Sequence, residues 1–130
     1  MKRTVRIFFI LASIAVVLML GGCYSSSYNA VGFVHSNTPH EGYMDFYRFE
    51  GRMVMKLKAD AGKLHCSGRL ESGDITVSCD NEGEKKKLFT LSSGEQLERA
   101  FDFPAGSSVY ILVETEGRCE NGDLSFTADE

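Results

Sequence analysis

The sequence is poor in the residues that form aromatic ligand platforms and metal sites. Its 130 residues include no tryptophan, only two prolines and only three histidines. Without tryptophan, flat rings for stacking on a sugar could come only from tyrosines, namely Tyr24, Tyr28, Tyr43, Tyr47 and Tyr110. The histidines at 35, 40 and 65 show no zinc-ligand spacing. We therefore expect no metal and no cofactor.

The chain also lacks recognisable catalytic motifs. No glycine-rich phosphate loop leads from a strand into a helix, and no pair of carboxylates is placed across a cleft. Cys119 as a nucleophile would need a histidine base beside it, and the neighbouring Glu120 would raise the pKa of its thiol. Asp80 to Glu84 is oxygen-rich like half a calcium loop, but a hairpin turn explains it equally. We expect a protein that is not an enzyme.

The one long apolar stretch lies at the amino terminus. Basic residues at 2, 3 and 6 precede a 14-residue apolar run, Ile7 to Leu20, and two glycines follow it. As a helix the run would be roughly 21 Å long, whereas a bilayer core is about 30 Å thick. This layout predicts a secretory signal over residues 1–22.

Leu20-Gly21-Gly22-Cys23 resembles the lipobox of bacterial lipoproteins. The resemblance implies cleavage before Cys23 and acylation of Cys23, for example with palmitate. Gly21 departs from the family, which more often has Ala or Ser there. A lipid-anchored protein on the extracytoplasmic face of the cell membrane is therefore expected, because two or more acyl chains hold a stable anchor. The alternative is an uncleaved transmembrane helix extended through Tyr24.

Removing the signal leaves 108 residues and makes the chain more acidic. The removed part carries three of the 14 Lys and Arg residues and none of the 18 Asp and Glu residues, so the mature charge is 11 − 18 = −7. This charge argues against nucleic acid and against anionic lipid headgroups as partners.

Short apolar stretches separated by glycine predict an all-β fold. Leu64, Cys66 and Leu70 alternate with polar residues, and so do Ile75, Val77 and Cys79, which predicts two strands that each bury one face. The apolar run Val109 to Val113 predicts a central strand.

We expect a small antiparallel β-sandwich or jelly roll of about eight strands over residues 43–130. The polar residues 23–42 predict a flexible linker, although Val31, Phe33 and Val34 could dock part of it as an edge strand. Asn121-Gly122 predicts a type I′ hairpin turn.

The layout of residues 43–127 resembles the pre-peptidase C-terminal type of β-sandwich module. Shared features are an aromatic strand ending at Gly51, Ile75-Thr76-Val77 before a turn with Gly83, Phe103-Pro104-Ala105-Gly106 before Val109 to Val113, and a final Gly122-x-Leu124-x-Phe126. Members usually have Gly-Thr-Tyr where this chain has Ser107-Ser108-Val109-Tyr110, and usually lack cysteines. The resemblance implies a non-catalytic accessory or binding role.

Three cysteines remain beyond Cys23, and an exported chain favours one disulfide. If Ser72-Gly73 is a two-residue hairpin loop, facing residues sum to 145, which places Cys66 opposite Cys79 at a non-hydrogen-bonded pair. We therefore predict a Cys66–Cys79 disulfide, with Cys119 left in a polar turn. The alternatives are reduced core thiols, or a disulfide that includes Cys119.

Together these features predict a non-catalytic binding or interaction module of the cell envelope. The lipid anchor would join it to the membrane, and a protein or a glycan would be its partner. The alternative is a structural or stabilising envelope component without a small ligand.

Overall fold

The computed structural model describes residues 24–129, which contain nine β-strands and, within that range, no helix. The strands are β1 (Ser27–Val31), β2 (Val34–Asn37), β3 (Glu41–Ala59), β4 (Lys63–Ser72), β5 (Asp74–Asn81), β6 (Glu84–Ser92), β7 (Glu95–Asp102), β8 (Ser107–Thr115) and β9 (Cys119–Ala128). No segment of this range is an apolar helix of membrane-spanning length. The predicted signal over 1–22 and the lipidation of Cys23 lie outside the described residues.

The long strand β3 joins two layers of a β-sandwich. Its first half pairs with β9, and the layer continues through β4 to β7. Its second half pairs with β8, and this second layer continues through β5 to β6. Every pairing is antiparallel. The predicted all-β sandwich is therefore confirmed.

Gly51 lies where β3 passes from one layer to the other. Pairing with β9 ends at Phe49 and pairing with β8 begins at Arg52. Even-numbered residues face the core up to Phe46, and odd-numbered residues face it from Phe49 onward, so the alternation already shifts just before Gly51. The sequence suggested that a strand ends at Gly51. The structure instead continues the strand through this glycine, whose φ of 128° few other residues adopt.

The core lies between the two layers. In strands, alternate side chains point to opposite faces, so each strand contributes every second residue. The largest fully buried side chains are Phe46, Phe49, Phe126, Met44, Met55, Leu57, Leu64, Leu70, Ile75, Leu91, Ile111 and Leu124. The alternation predicted for β4 and β5 matches this burial.

Residues 27–37 form two edge strands, in line with the docking considered for Val31, Phe33 and Val34, whereas a flexible linker was expected for 23–42 as a whole. β1 pairs with residues 48–52 of β3, and β2 pairs with residues 42–45. Phe33, between the two strands, packs against Tyr28 and Phe49 with ring centroids 5.0 and 5.4 Å away. This aromatic contact fixes both strands on the sandwich.

Two predicted hairpin turns are wrong. β4 and β5 are not paired with each other, because Gly73 (φ 117°) carries the chain from the first layer to the second. Asn121 and Gly122 lie inside β9. A Cβ at Gly122 would lie 2.6 Å from Cζ of Phe46, so glycine is needed there for core packing rather than for a turn.

Candidate functional site

The outer face of the first layer is polar. Because β9, β4 and β7 are in register, Ser125, Ser67 and Glu98 form one row across it. The next row is Thr127, His65 and Ala100, and the row on the other side is Asp123, Arg69 and Gln96. Small side chains therefore lie between longer polar ones.

Three shallow, open hollows lie one after another along β4 from His65 to Glu71, and together they are here called the β4 trough. The hollows have volumes of about 450, 230 and 530 Å³. Ser67 and Glu98 line both the first and the second, and Arg69 and Gln96 line both the second and the third. At about 3.3 Å per strand residue, the trough is about 20 Å long. Its length and shape suit an extended ligand.

The walls of the trough combine both charges. Arg69 donates to Asp123 at 3.1 Å, and His65 lies 3.3 Å from Asp129. These groups are exposed, so each ion pair contributes little to stability and its atoms can exchange partners with a ligand.

Tyr43 borders the trough on β3, where it pairs with Ser125. Its hydroxyl donates to Asp45 at 3.0 Å. That hydrogen bond, followed by partial burial, raises the pKa of Tyr43. Tyr43 is thus a half-buried phenol beside the trough, with its hydroxyl held by Asp45.

The predicted disulfide is absent, since Cys66, Cys79 and Cys119 are all free thiols. Cys66 and Cys79 do not face each other along paired strands, because Cys66 pairs with Arg99 and Phe126, whereas Cys79 lies in the other layer and pairs with Lys86 and Ile111. Burial, and secondarily the nearby Cys79, raises the pKa of Cys66 to about 12.

Cys119 is not in a polar turn as expected. It begins β9, its side chain is fully buried, and its Sγ donates to the carbonyl of Asp74 at 3.5 Å. Burial raises the pKa of Cys119. This is the opposite of what an activated nucleophile requires.

In the turn at Asp80 to Glu84, both carboxylate oxygens of Asp80 are already engaged. Oδ1 of Asp80 accepts from the Gly83 amide at 2.7 Å, and Oδ2 accepts from the Tyr24 hydroxyl. In the range 24–129, no three His, Cys, Asp or Glu side chains are grouped as a metal site would need. The hairpin explanation therefore accounts for Asp80 and Gly83.

A second surface feature is an exposed apolar patch where β1 turns into β2, here called the edge patch. Val31, Val34 and Tyr47 are 55, 63 and 48% exposed. The patch lies at the sheet edge, where strands can accept a further strand.

The sequence identified neither surface. Outward polar residues such as Ser67 and Arg69 could be predicted from the alternation in β4. Which strands lie beside β4 could not, because its neighbours β7 and β9 are distant in sequence.

The chain matches no family model, and no curated protein matches it in sequence. Solved structures match its fold. The CBM36-1 domain of a multidomain xylanase from the hindgut metagenome of Trinervitermes trinervoides is 16% identical, covers 83% of this chain and 94% of its own, and has a TM-score of 0.43. CBM35 from Paenibacillus barcinonensis is 15% identical, with coverages of 82 and 100% and a TM-score of 0.41. Drosophila melanogaster CENP-C bound to CAL1 is 18% identical, with coverages of 78 and 74% and a TM-score of 0.34.

Proposed function

We propose that this protein is a lipid-anchored, extracytoplasmic binding module of the cell envelope that holds a glycan chain in the β4 trough. The lipobox-like sequence at Cys23 supports the anchor, because it follows a basic and then apolar segment too short to span a bilayer comfortably. The glycan assignment rests chiefly on one observation, the row of polar hollows about 20 Å long over β4.

A glycan suits the chemistry of the β4 trough. Sugar hydroxyls need both donors and acceptors, and the trough offers hydroxyls from Ser67 and Ser125, a carboxylate from Glu98 and a guanidinium from Arg69. Several sugar rings in a row would fit its length. Tyr43 at the border supplies a ring face, in a chain without tryptophan.

We infer a role without catalysis. The buried thiol of Cys119 touches a backbone carbonyl rather than a histidine. His40 lies 2.7 Å from Asp60, and His65 lies 3.3 Å from Asp129, so each faces a carboxylate on the surface. These pairs offer no nucleophile beside a base.

Binding is tested by co-sedimentation of the purified protein with bacterial peptidoglycan sacculi, and by affinity electrophoresis in β-1,4-galactan and xylan. We expect retention by at least one of these glycans. Ser67→Tyr should reduce retention at least tenfold, because the new ring fills the middle of the trough without entering the core.

The matched control is Thr76→Tyr, which places the same ring on the outer face of the second layer. It should bind like the unmodified protein. Failure of every glycan to retain the protein, or equal retention of Ser67→Tyr, would contradict the proposal.

The edge patch supports a second candidate function, binding of a protein partner. An extended peptide with apolar side chains could pair with β2 and cover Val34. Val34→Lys should then abolish capture of the partner in envelope crosslinking while glycan retention stays unchanged. If Val34→Lys leaves every crosslink unchanged, the edge patch is not a binding site.

A further inference from the structure

The first described residues pack on the outer face of the second layer. The Tyr24 ring lies 5.2 Å from the Tyr110 ring, and its hydroxyl donates to the carboxylate of Asp80. Two residues later, Oγ of Ser26 accepts from the Val54 amide at 2.9 Å. The chain is thus fixed to this face from the residue that directly follows Cys23.

Cationic side chains surround this docking point. Nζ of Lys85 lies 5.6 Å from the centre of the Tyr24 ring, and Nζ of Lys56 lies 5.4 Å from that of Tyr110. Arg52 and Lys87 line the same hollow of about 350 Å³ as Tyr24. The three lysines are exposed. We call Arg52, Lys56, Lys85 and Lys87 the basic face.

The acidic groups beside Tyr24 are already engaged. Asp80 accepts from Tyr24 and from the Gly83 amide, and Glu114 accepts from Arg52 at 3.3 Å. The hydrogen bonds leave the charge of Asp80 in place, but the four cations of the basic face outnumber these two carboxylates, so positive charge remains there. The acidic charge of the whole chain does not cancel it, since salt screens charges beyond about 8 Å.

We propose that the basic face lies against the anionic phospholipid headgroups of the membrane. The inference rests on the proposed anchor at Cys23, because consecutive Cα atoms are only about 3.8 Å apart and Tyr24 is fixed on this face. The domain then lies flat on the bilayer. The β4 trough, on the outer face of the opposite layer, points away from the lipid.

Composition alone gave the opposite expectation. A mature charge of −7 argued against anionic headgroups as partners. Net charge averages over the whole surface, whereas headgroups meet one face. Folding gathers Lys56 and Lys85 around Tyr24 although 29 positions separate them in the sequence.

The test uses the full chain in vesicles of phosphatidylcholine, with or without one quarter phosphatidylglycerol. After flotation, an amine-reactive reagent labels exposed lysines, and mass spectrometry measures each site. We expect labelling of Lys56, Lys85 and Lys87 to fall at least threefold in the anionic vesicles. Lys63, on the outer face of the first layer, should label equally in both. Equal labelling of all four lysines overturns the proposal.

The double variant Lys85→Gln, Lys87→Gln separates the face from the anchor. It should float with both vesicles but lose the protection of Lys56, whereas the control Lys63→Gln should keep it. Flotation with an unprotected basic face contradicts only the orientation. A chain that floats with neither vesicle contradicts the proposed anchor, and the orientation fails with it.

Discussion

At the scale of single residues, Gly51 is the position where β3 depends most on having no side chain. Its φ of 128° is strained for other residues, and an added Cβ would lie 2.8 Å from Cα of Tyr28 and against the Ser27 carbonyl. Gly51→Ala should therefore destabilise the fold by about 2–4 kcal/mol, from backbone strain plus displacement of β1. Urea unfolding measures this change.

Gly83→Ala is the matched control for Gly51→Ala. Gly83 also has a positive φ, 97°, but no atom lies within 4 Å of its Cβ position. Gly83→Ala should lose only about 1 kcal/mol of stability, because it adds backbone strain but no steric contact. If both substitutions cost the same, contact with β1 plays no part.

The buried thiols make the stability of the fold vary with pH in the alkaline range. The folded pKa of Cys66, about 12, lies above the ordinary thiol value, so above about pH 9 the unfolded chain releases a proton that the folded chain keeps. Stability is thus fully present below pH 8 and falls as pH rises, by up to about 1.4 kcal/mol per pH unit for this thiol.

Urea unfolding at pH 8, 9 and 10 measures this slope in the reduced protein. The slope should be smaller in Cys66→Ala, which is less stable at every pH but has one thiol fewer to titrate. Identical slopes in the two proteins would show that other groups cause the alkaline loss.

For the cysteines, burial could be predicted from the sequence but pairing could not. Alternation along β4 and β5 placed Cys66 and Cys79 on inward faces, and both are buried. The prediction that they pair was wrong, because Ser72-Gly73 has the composition of a hairpin loop but connects strands in different layers. Local composition cannot distinguish these two courses, since glycine permits both.

At the scale of elements, β1 and β2 depend on one aromatic side chain. Phe33 contacts Tyr28, His35 and Phe49 with ring centroids 4.8–5.4 Å away. Phe33→Ala should destabilise the protein by about 2–3 kcal/mol, because the ring is partly buried. Hydrogen exchange of the β1 and β2 amides should accelerate more than that of β8.

Val34→Ala is the control for Phe33→Ala within the same element. Its side chain is 63% exposed, so the substitution should change stability by less than about 0.5 kcal/mol. Unchanged exchange in Phe33→Ala would mean that the backbone pairing with β3 holds these strands without the ring.

The element scale also explains which parts of the sandwich and trough were predictable. Period-two alternation identified β4 and β5, which each bury one face, and the apolar run Val109 to Val113 identified β8. Neither pattern could give strand order, which depends on contacts between distant segments. The trough needs that order, since His65 and Ser67 meet Ser125 and Glu98 only when β4 lies between β9 and β7.

At the scale of the whole molecule, the strand order sets the folding rate. Of the pairings in the described chain, only β2–β3 and β5–β6 join consecutive strands. The central pairs of β3 with β8 and with β9 must close long loops before they contribute stability. We therefore expect refolding in milliseconds to seconds, measured by stopped-flow far-ultraviolet circular dichroism after dilution from urea.

The β5–β6 hairpin should form early, because Glu82 and Gly83 link its strands with φ angles of 52 and 97°. Phe89→Leu in β6 should then slow folding, whereas Leu124→Ala in β9 should mainly accelerate unfolding. Refolding in microseconds, or an equal slowing of folding by both substitutions, would contradict this order. Either result would mean that pairing of β9 with β3 and β4 is not a late step in folding.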